Sequence, residues 1–265
     1  MDVENRNFDI RWFDTLESTN NYCKLLDINS VEEFTVVCAR RQTAGIGQQG
    51  NVWVSEPDKN LTFSLILKPT FINAADQYNL TMALALAVAE TLEQQLSAPH
   101  SPLSAFRFPL SAQIKWPNDI YVGDRKVCGI LTTNHLSDGH ISSSICGIGL
   151  NVNQTVFPDW VSNPTSLLLE SPSGQNPFDL NAVLSALLDN ILRRYSQLRQ
   201  PSAFGTLRAD YLRRLYRLGV EADYIHDGQP LRATITGIDR YGHLQLTTAS
   251  GTSLSCAMKE IKFLI

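Results

Sequence analysis

Lys115 and Lys126 lie eleven residues apart in a stretch, 115–131, that also carries Asn118 and Asp119 between them. Two ammonium groups and an amide are the residue types that hold an anion. Pro117, Asn118 and Asp119 are turn chemistry, because Pro presets φ and Asn and Asp bond their own backbone. The apolar residues at 120–122 and 127–131 then read as strands around a second turn at Gly123 and Asp124. Two readings stand side by side here. One is an ordinary hairpin with solvated lysines, which two lysines alone would favour. The other is that Lys115, Asn118 and Lys126 converge on an anionic ligand.

Three further stretches offer polar or backbone groups. Ser18, Thr19 and Asn20 precede a short helical run, and either hydroxyl can cap it by accepting from a free backbone N–H. A helix start is also a polar ligand site. Gly45, Gly47 and Gly50 give a loop whose backbone can approach a ligand closely. The loop is not a dinucleotide fingerprint, because a strand follows it where a helix would be required. Gly147 and Gly149 sit in a strand-like run, which marks close approach of a backbone or a ligand. Asn151 and Asn153 follow on one side of that run.

The elements that must position these groups are legible in outline. Residues 8–13 and 34–39 read as strands, and 61–67 alternates with Leu61, Phe63, Leu65 and Leu67 on one face. Residues 76–96 and 178–198 are amphipathic helices, the first with Leu80, Leu84, Val88 and Leu92 at four-residue spacing, the second capped by Asp179. A third helix covers 203–216, and an irregular excursion is expected over 100–113. From Gly219 the texture changes to short strands at 220–224, 231–238, 243–248 and 253–264. Glycine turns separate them, the signature of a small β-barrel.

Composition narrows the function. The chain has 265 residues, 43% hydrophobic, with net charge −4 and an isoelectric point near 5.7. No broad basic field exists for counterion release, so a general nucleic-acid partner is disfavoured. The five cysteines are odd in number and scattered, which fits buried reduced thiols. The charged start has no apolar core for a signal peptide, and no run is long enough to span a membrane. A cytoplasmic protein, with neither nucleic acid nor membrane as partner, is expected.

Taken in order, Ser18-Thr19-Asn20, Gln42-Thr43-Ala44-Gly45, Trp53, Asn60-Leu61, Lys115-Trp116-Pro117-Asn118-Asp119, Lys126 with Gly129-Ile130-Leu131, and the run 147–153 resemble the biotin protein ligases. The resemblance covers roughly residues 8–170. It implies an α+β fold: a mixed β-sheet with packed helices, like the catalytic domain of class II aminoacyl-tRNA synthetases and biotin/lipoate ligases, over 1–216. A small SH3-like β-barrel over 217–265 follows. The family's regulatory members place a DNA-binding winged helix in front, and a first strand near Phe8 leaves no room for one. The implied activity is ATP-dependent attachment of biotin, through biotinyl-5′-AMP, to a lysine of a biotin carboxyl carrier protein. ATP and Mg²⁺ are the implied cofactors, the Mg²⁺ held by phosphates without dedicated protein ligands. By resemblance, Lys126, Lys115 and Asp119 are catalytic. Ser18, Thr19, Asn20, Gln42, Gly45, Ile46, Lys126, Gly129 and Gly147 would bind biotin. Trp53, Lys115, Asn118, Asn151, Gln48 and Gln49 would bind ATP, with Trp53 on adenine and Asn151 at its amino edge. A homodimer is left open. A lipoate or octanoate ligase is the nearest alternative, and a biotin-binding protein with impaired ligation the next.

One departure stands out. Ile46 occupies a position where the family carries arginine, and Gln48 and Gln49 occupy positions that often do. Arginine there would clamp phosphate in bidentate fashion; glutamine brings no charge, and isoleucine neither charge nor donor. Either Arg40, Arg41 or a residue from elsewhere substitutes, or the adenylate is held loosely, or ligation is inefficient. The loop itself is expected to be mobile and to fold over its ligand.

Overall fold

The computed structural model describes residues 8–97, 111–172 and 176–265. Most of the excursion expected over 100–113, and part of the loop at 171–177, lie outside them. Seven strands form the larger sheet: β1 (Asp9–Leu16), β2 (Thr35–Gln42), β3 (Leu61–Leu67), β4 (Ala112–Lys115), β5 (Asp119–Val122), β6 (Arg125–Ser137) and β7 (His140–Leu150). Their spatial order is β1-β2-β3-β7-β6-β5-β4, with β1 and β2 parallel and every other neighbour antiparallel. The sheet is therefore mixed, as expected. The crossover between the parallel pair is α1 (Thr19–Leu25).

All seven residues of β3 are buried, so it is covered on both faces rather than on the one its alternation suggested. Its polar side chains are satisfied internally: Thr62 donates to the Ala39 carbonyl and Ser64 to the Thr19 hydroxyl, each at 2.9 Å. On the side away from α1, α2 (Tyr78–Ser97) packs against α4 (Leu180–Gln197) and α5 (Phe204–Arg213). Asp179 caps α4, its carboxylate accepting from Asn181 N–H at 2.8 Å. Between α2 and α4, Arg194 is 8% exposed and is paired with Glu90 and, at 2.8 Å, with Asp210.

The strand at 127–131 is the start of a much longer one. β6 runs on to Ser137 and turns back into β7 through Asp138 and Gly139, both at positive φ (52° and 78°). That is the conformation a two-residue hairpin turn requires, and Asp-Gly is its usual sequence. Gly129 faces Gly149 across this ladder, and Leu131 faces Gly147. A bare patch of backbone results at the middle of the sheet.

After α5 the chain enters a five-stranded antiparallel sheet, the SH3-like unit. It comprises β8 (Glu221–His226), β9 (Gln229–Ile238), β10 (Leu244–Thr248), β11 (Ser253–Cys256) and β12 (Ile261–Phe263), in the order β11-β10-β9-β8-β12. It is docked tightly on the larger unit, and one continuous hydrophobic core runs through both. Trp116, 3% exposed, donates its indole N–H to the Gly242 carbonyl at 2.8 Å. Gly242 has φ +89°, and a Cβ there would lie 2.2 Å from the Tyr78 ring. Arg240 pairs with Asp76 at 2.9 Å. The tryptophan of the Lys115–Asp119 block is thus an anchor for the second sheet.

The five cysteines are free and buried. Burial pushes the thiols of Cys23, Cys38 and Cys146 up to about 12. Among the described residues, no helix is long and apolar enough to cross a membrane.

Candidate active site

A cleft of about 1290 Å³ opens where α1, the loop 45–53, the β4–β6 turns and the last strand of the smaller sheet meet. Single-ligand pockets are usually about 300–1,000 Å³, so this one has room for two ligands held together.

At one end the start of α1 supplies neutral polar groups. Ser18 caps the helix, its hydroxyl accepting from Asn21 N–H at 3.4 Å, and Thr19 N–H donates to the Gln42 side-chain carbonyl at 2.8 Å. Capping and lining therefore coexist. Asn20 behaves differently: it is 3% exposed, and neither its Nδ2 nor its Oδ1 has a partner. Buried polar atoms are nearly always satisfied, so an unpaired donor and acceptor on a cleft wall call for a ligand that supplies both. Gly147 lies beside it, where an added Cβ would stand 3.3 Å from Asn20 Nδ2.

The loop closes on itself. Ile46 and Val52 form an antiparallel bridge, Gly47 N–H donates to Asn51 O at 2.7 Å, and Trp53 N–H to Gly45 O at 2.9 Å. A Cβ on Gly45 would sit 2.4 Å from the Trp53 carbonyl, so this closure requires glycine. Gly45 itself is outside the cleft wall, whereas Ile46, Gly47, Gln48 and Trp53 line it. The Gln49 side chain lies outside what the structure describes. The Trp53 indole rests on the bare patch of the sheet, where a Cβ at Gly149 would come within 2.3 Å of it and one at Gly129 within 3.2 Å. Its Nε1 is buried without a partner.

The cations line the same cleft. Lys126 Nζ is 2.7 Å from Asp119 and 5.7 Å from the centre of the Trp53 ring. Lys115 Nζ lies over two rings, Tyr121 at 5.4 Å and Phe263 at 4.9 Å. Burial is the largest influence on the Lys115 ammonium and lowers its pKa below the ordinary value, with Lys126 and Arg217 adding to this and Asp119 opposing it. Both lysines line the cleft, so they are not the solvated surface charges of a plain hairpin.

Two other expected residues spend their amide N–H groups on the fold. Asn118 lines the cleft, but its amide donates to Ile130 O, and Ile130 N–H returns a bond to Asn118 O at 3.0 Å. Its amide N–H locks the turn to β6. Asn151 is not on the cleft wall, and its Nδ2 donates to Thr165 O at 2.9 Å while its Oδ1 is left unpartnered. Arg40 is occupied by Asp58 at 3.2 Å and Asp14 at 3.6 Å, and Arg41 lines a separate, smaller hollow. Neither arginine reaches the cleft to replace the charge absent from the loop.

The smaller sheet also contributes. Met258, Lys259, Lys262 and Phe263 line the same cleft. No local pattern in the sequence pointed to them, since they lie more than 130 residues from Lys126 and arrive only through the docking of the second sheet. The assembled cleft has neutral hydrogen-bonding groups, an indole across its floor, and cations with one side-chain carboxylate among the described residues. Such a cleft can hold a molecule with a neutral polar head and an anionic tail, and set that tail against a second anion.

Residues 12–151 match the model of the Biotin/lipoate A/B protein ligase family. The chain is 31% identical over 246 residues to the bifunctional ligase/repressor BirA of Bacillus subtilis, covering 91% of this chain and 70% of that protein. It is 28% identical to the biotin–[acetyl-CoA-carboxylase] ligase of Mycobacterium tuberculosis, over 82% and 74% of the two chains. The solved structure of the Aquifex aeolicus biotin protein ligase in complex with biotin and ATP superposes with a TM-score of 0.75 at 26% identity. That match covers 97% of this chain and 98% of the other.

Proposed function

From the premise that the chain belongs to the Biotin/lipoate A/B protein ligase family, we propose that it is a biotin–[biotin carboxyl carrier protein] ligase. Biotin is activated by ATP as biotinyl-5′-AMP and then passed to a carrier lysine. The observation that carries this reading is the pairing, in one cleft, of the unpartnered Asn20 amide with the Lys126–Asp119 ion pair. A ureido ring is neutral and offers both a carbonyl and N–H groups, which suits an unpaired donor and acceptor. A valeryl carboxylate would then extend toward Lys126. The Mycobacterium tuberculosis relative and the Aquifex aeolicus structure are biotin ligases, which favours biotin over lipoate or octanoate.

The residues account for the chemistry as follows. In the first step a biotin carboxylate oxygen bonds to the α-phosphorus of ATP, and the bond to the leaving pyrophosphate breaks. Two anions must meet, so fixed cations lower the barrier by offsetting charge in the transition state. Lys126 takes the carboxylate and the reacting phosphate, and Lys115 the nucleotide phosphates. Mg²⁺, when bound, neutralises phosphate charge. It keeps much of its water and needs few protein oxygens, which fits a wall whose one side-chain carboxylate among the described residues is Asp119. In the second step the carrier lysine attacks the acyl carbon and AMP leaves. Asp119 receives or orients the amine proton, released from Lys126 as the phosphates depart. Trp53 moves from the glycine patch to cover adenine as the loop closes.

The test is pyrophosphate release with Mg-ATP and biotin, lipoate or octanoate in turn, followed by the intact mass of an added carrier domain. Biotin alone should support release and add its mass to the carrier. Release with lipoate at a comparable rate, or biotin binding without release, would overturn the reading.

A further inference from the structure

The smaller sheet gathers three side chains of metal-ligating type that the ligase chemistry does not use. His226 ends β8, Cys256 ends β11, and Glu260 closes the turn before β12. An imidazole nitrogen, the Cys256 Sγ and a Glu260 carboxylate oxygen all lie within 4.8 Å of one another. The pairing of the strands puts them there. Ile261 faces His226 across the β8–β12 ladder, and Asp227 N–H donates to the Glu260 carbonyl at 3.0 Å, so Glu260 is held beside the end of β8. Its carboxylate then folds back along the turn and accepts from Ala257 N–H at 2.7 Å, next to Cys256. The other four cysteines have no such company among the described residues.

The donor set suits zinc. Thiolate, imidazole and carboxylate are its usual protein ligands, at about 2.0–2.3 Å in a tetrahedron. Tetrahedral angles at those lengths set the donors about 3.3–3.6 Å apart, so the three atoms need draw in by only about 1 Å. A thiolate and a carboxylate cancel the charge of a divalent ion, and the imidazole binds neutral. The bond from Ala257 N–H is the kind of outer contact that orients a ligating carboxylate. Among the described residues no lysine or arginine pairs with Glu260, so the fold leaves its charge for a ligand to meet. Cys256 is buried and the His226 side chain is 27% exposed, which gives an ion an outer approach and leaves the fourth position to water. The place in the sheet matters too. The strand order β11-β10-β9-β8-β12 makes β11 and β12 the two edges, with no ladder between them. Cys256 lies on one edge strand, and His226 is paired to the other. An ion held by both joins edges that the backbone does not join.

We propose that His226, Cys256 and Glu260 form a zinc site that clips the two edges of the smaller sheet together. On binding, a zinc–sulfur bond replaces the S–H bond of Cys256 and its proton goes to solvent. The site needs neither biotin nor ATP, so it stands or falls apart from the ligase reading. The test uses the untagged full chain, stripped with a chelator, with cobalt(II) as the spectroscopic substitute for zinc. Wild type takes up one ion per chain and shows a thiolate-to-cobalt charge-transfer band, which added zinc removes. Cys256→Ser loses the band. His226→Gln and Glu260→Gln bind cobalt at least about tenfold more weakly, since losing even an outer partner of a ligand costs that much. Zinc raises the melting temperature of wild type and leaves that of Cys256→Ser unchanged. Cys256 is a core position, so circular dichroism of each metal-free variant is compared first. Glu260→Gln keeps an acceptor for Ala257 N–H and decides the matter if the serine variant does not fold. No charge-transfer band in wild type would overturn the site, as would cobalt affinity unchanged in both His226→Gln and Glu260→Gln. A band that survives in folded Cys256→Ser would place the ion on another thiol and overturn it as well.

Discussion

Trp116→Phe tests whether the smaller sheet is held at the cleft by one indole. The substitution keeps an aromatic ring but removes the N–H that reaches the Gly242 carbonyl at 2.8 Å. At 3% exposure no water replaces it. Leaving a buried acceptor without its donor costs about 1–3 kcal/mol. Taking ~2 kcal/mol, and about 2–4 °C per kcal/mol for a chain of this size, the melting temperature should fall by roughly 4–8 °C. Scanning calorimetry gives the value. The same loosening displaces the wall that the smaller sheet gives the cleft, so kcat/KM should fall together with the melting temperature. Gly242→Ala acts on the same contact, since its Cβ would lie 2.2 Å from Tyr78. The double variant should therefore lose less than the sum of the singles. A Trp116→Phe melting temperature within about 1 °C of wild type would refute the anchoring role. Losses that simply add would show that Trp116 and Gly242 do not share one contact.

Lys126→Met should lower the rate of adenylate formation by about 10²–10³-fold, the range for removing a group that stabilises transition-state charge; single-turnover kinetics with radiolabelled ATP would measure it. Gly149→Ala puts a methyl into the space of the Trp53 ring and should lower kcat/KM about tenfold or more, in the range one methylene is worth in a pocket, as steady-state assays would read. Lys259 has φ +86°, so Lys259→Gly relieves ~1–2 kcal/mol of left-handed strain and adds about 0.5–1 kcal/mol of chain entropy cost; urea unfolding should find it as stable as wild type or slightly more so. At Glu90 burial opposes ionisation, but the Arg194 and Arg193 guanidiniums outweigh it and hold the carboxyl below its ordinary value. Its stabilising contribution is therefore complete above the unfolded value of about 4.3 and is lost as pH falls through the lower folded value. Glu90→Gln should cost about 3 kcal/mol at neutral pH, because it breaks a buried pair, and the gap from wild type should narrow below about pH 4 in acid denaturation curves.

Much of the catalytic sheet was legible because its signals are local. The Lys115–Asp119 turn, the leucine stripe of α2 and the Asp179 cap each carry their reason within a few residues. The β6–β7 hairpin was also marked, by Asp138 and Gly139, a signal that sequence reading passed over. What escaped depends on contacts between distant segments. Nothing in the sequence around Asn118 tells that its amide is tied to the Ile130 carbonyl, or around Asn151 that its amide is tied to Thr165. Arg40 looked available for phosphate until Asp58 and Asp14 were seen beside it. Asn20 stands in the motif with Ser18 and Thr19 and is as buried as they are, and only the folded hydrogen bonding distinguishes its unpaired amide from their committed groups. Lys259 and Lys262 belong to the cleft because Trp116 and Gly242 bring two sheets together, and no spacing along the chain encodes that.

The placement of Trp53 has an optical consequence. Its indole lies on Gly149 and Gly129, with the ammonium of Lys126 5.7 Å from the ring centre. A charge held beside an indole shifts the energy of its excited state, and any molecule entering the cleft must alter that charge, displace the ring, or both. The other three tryptophans are less exposed to what a cleft ligand does: Trp116 borders the cleft but is only 3% exposed and its indole N–H is held by the Gly242 carbonyl, Trp12 lies under Arg40, and Trp160 is 65% exposed. Occupancy of the site is therefore written into the emission of the unmodified chain, and ligand titrations can be followed in its intrinsic fluorescence without a label.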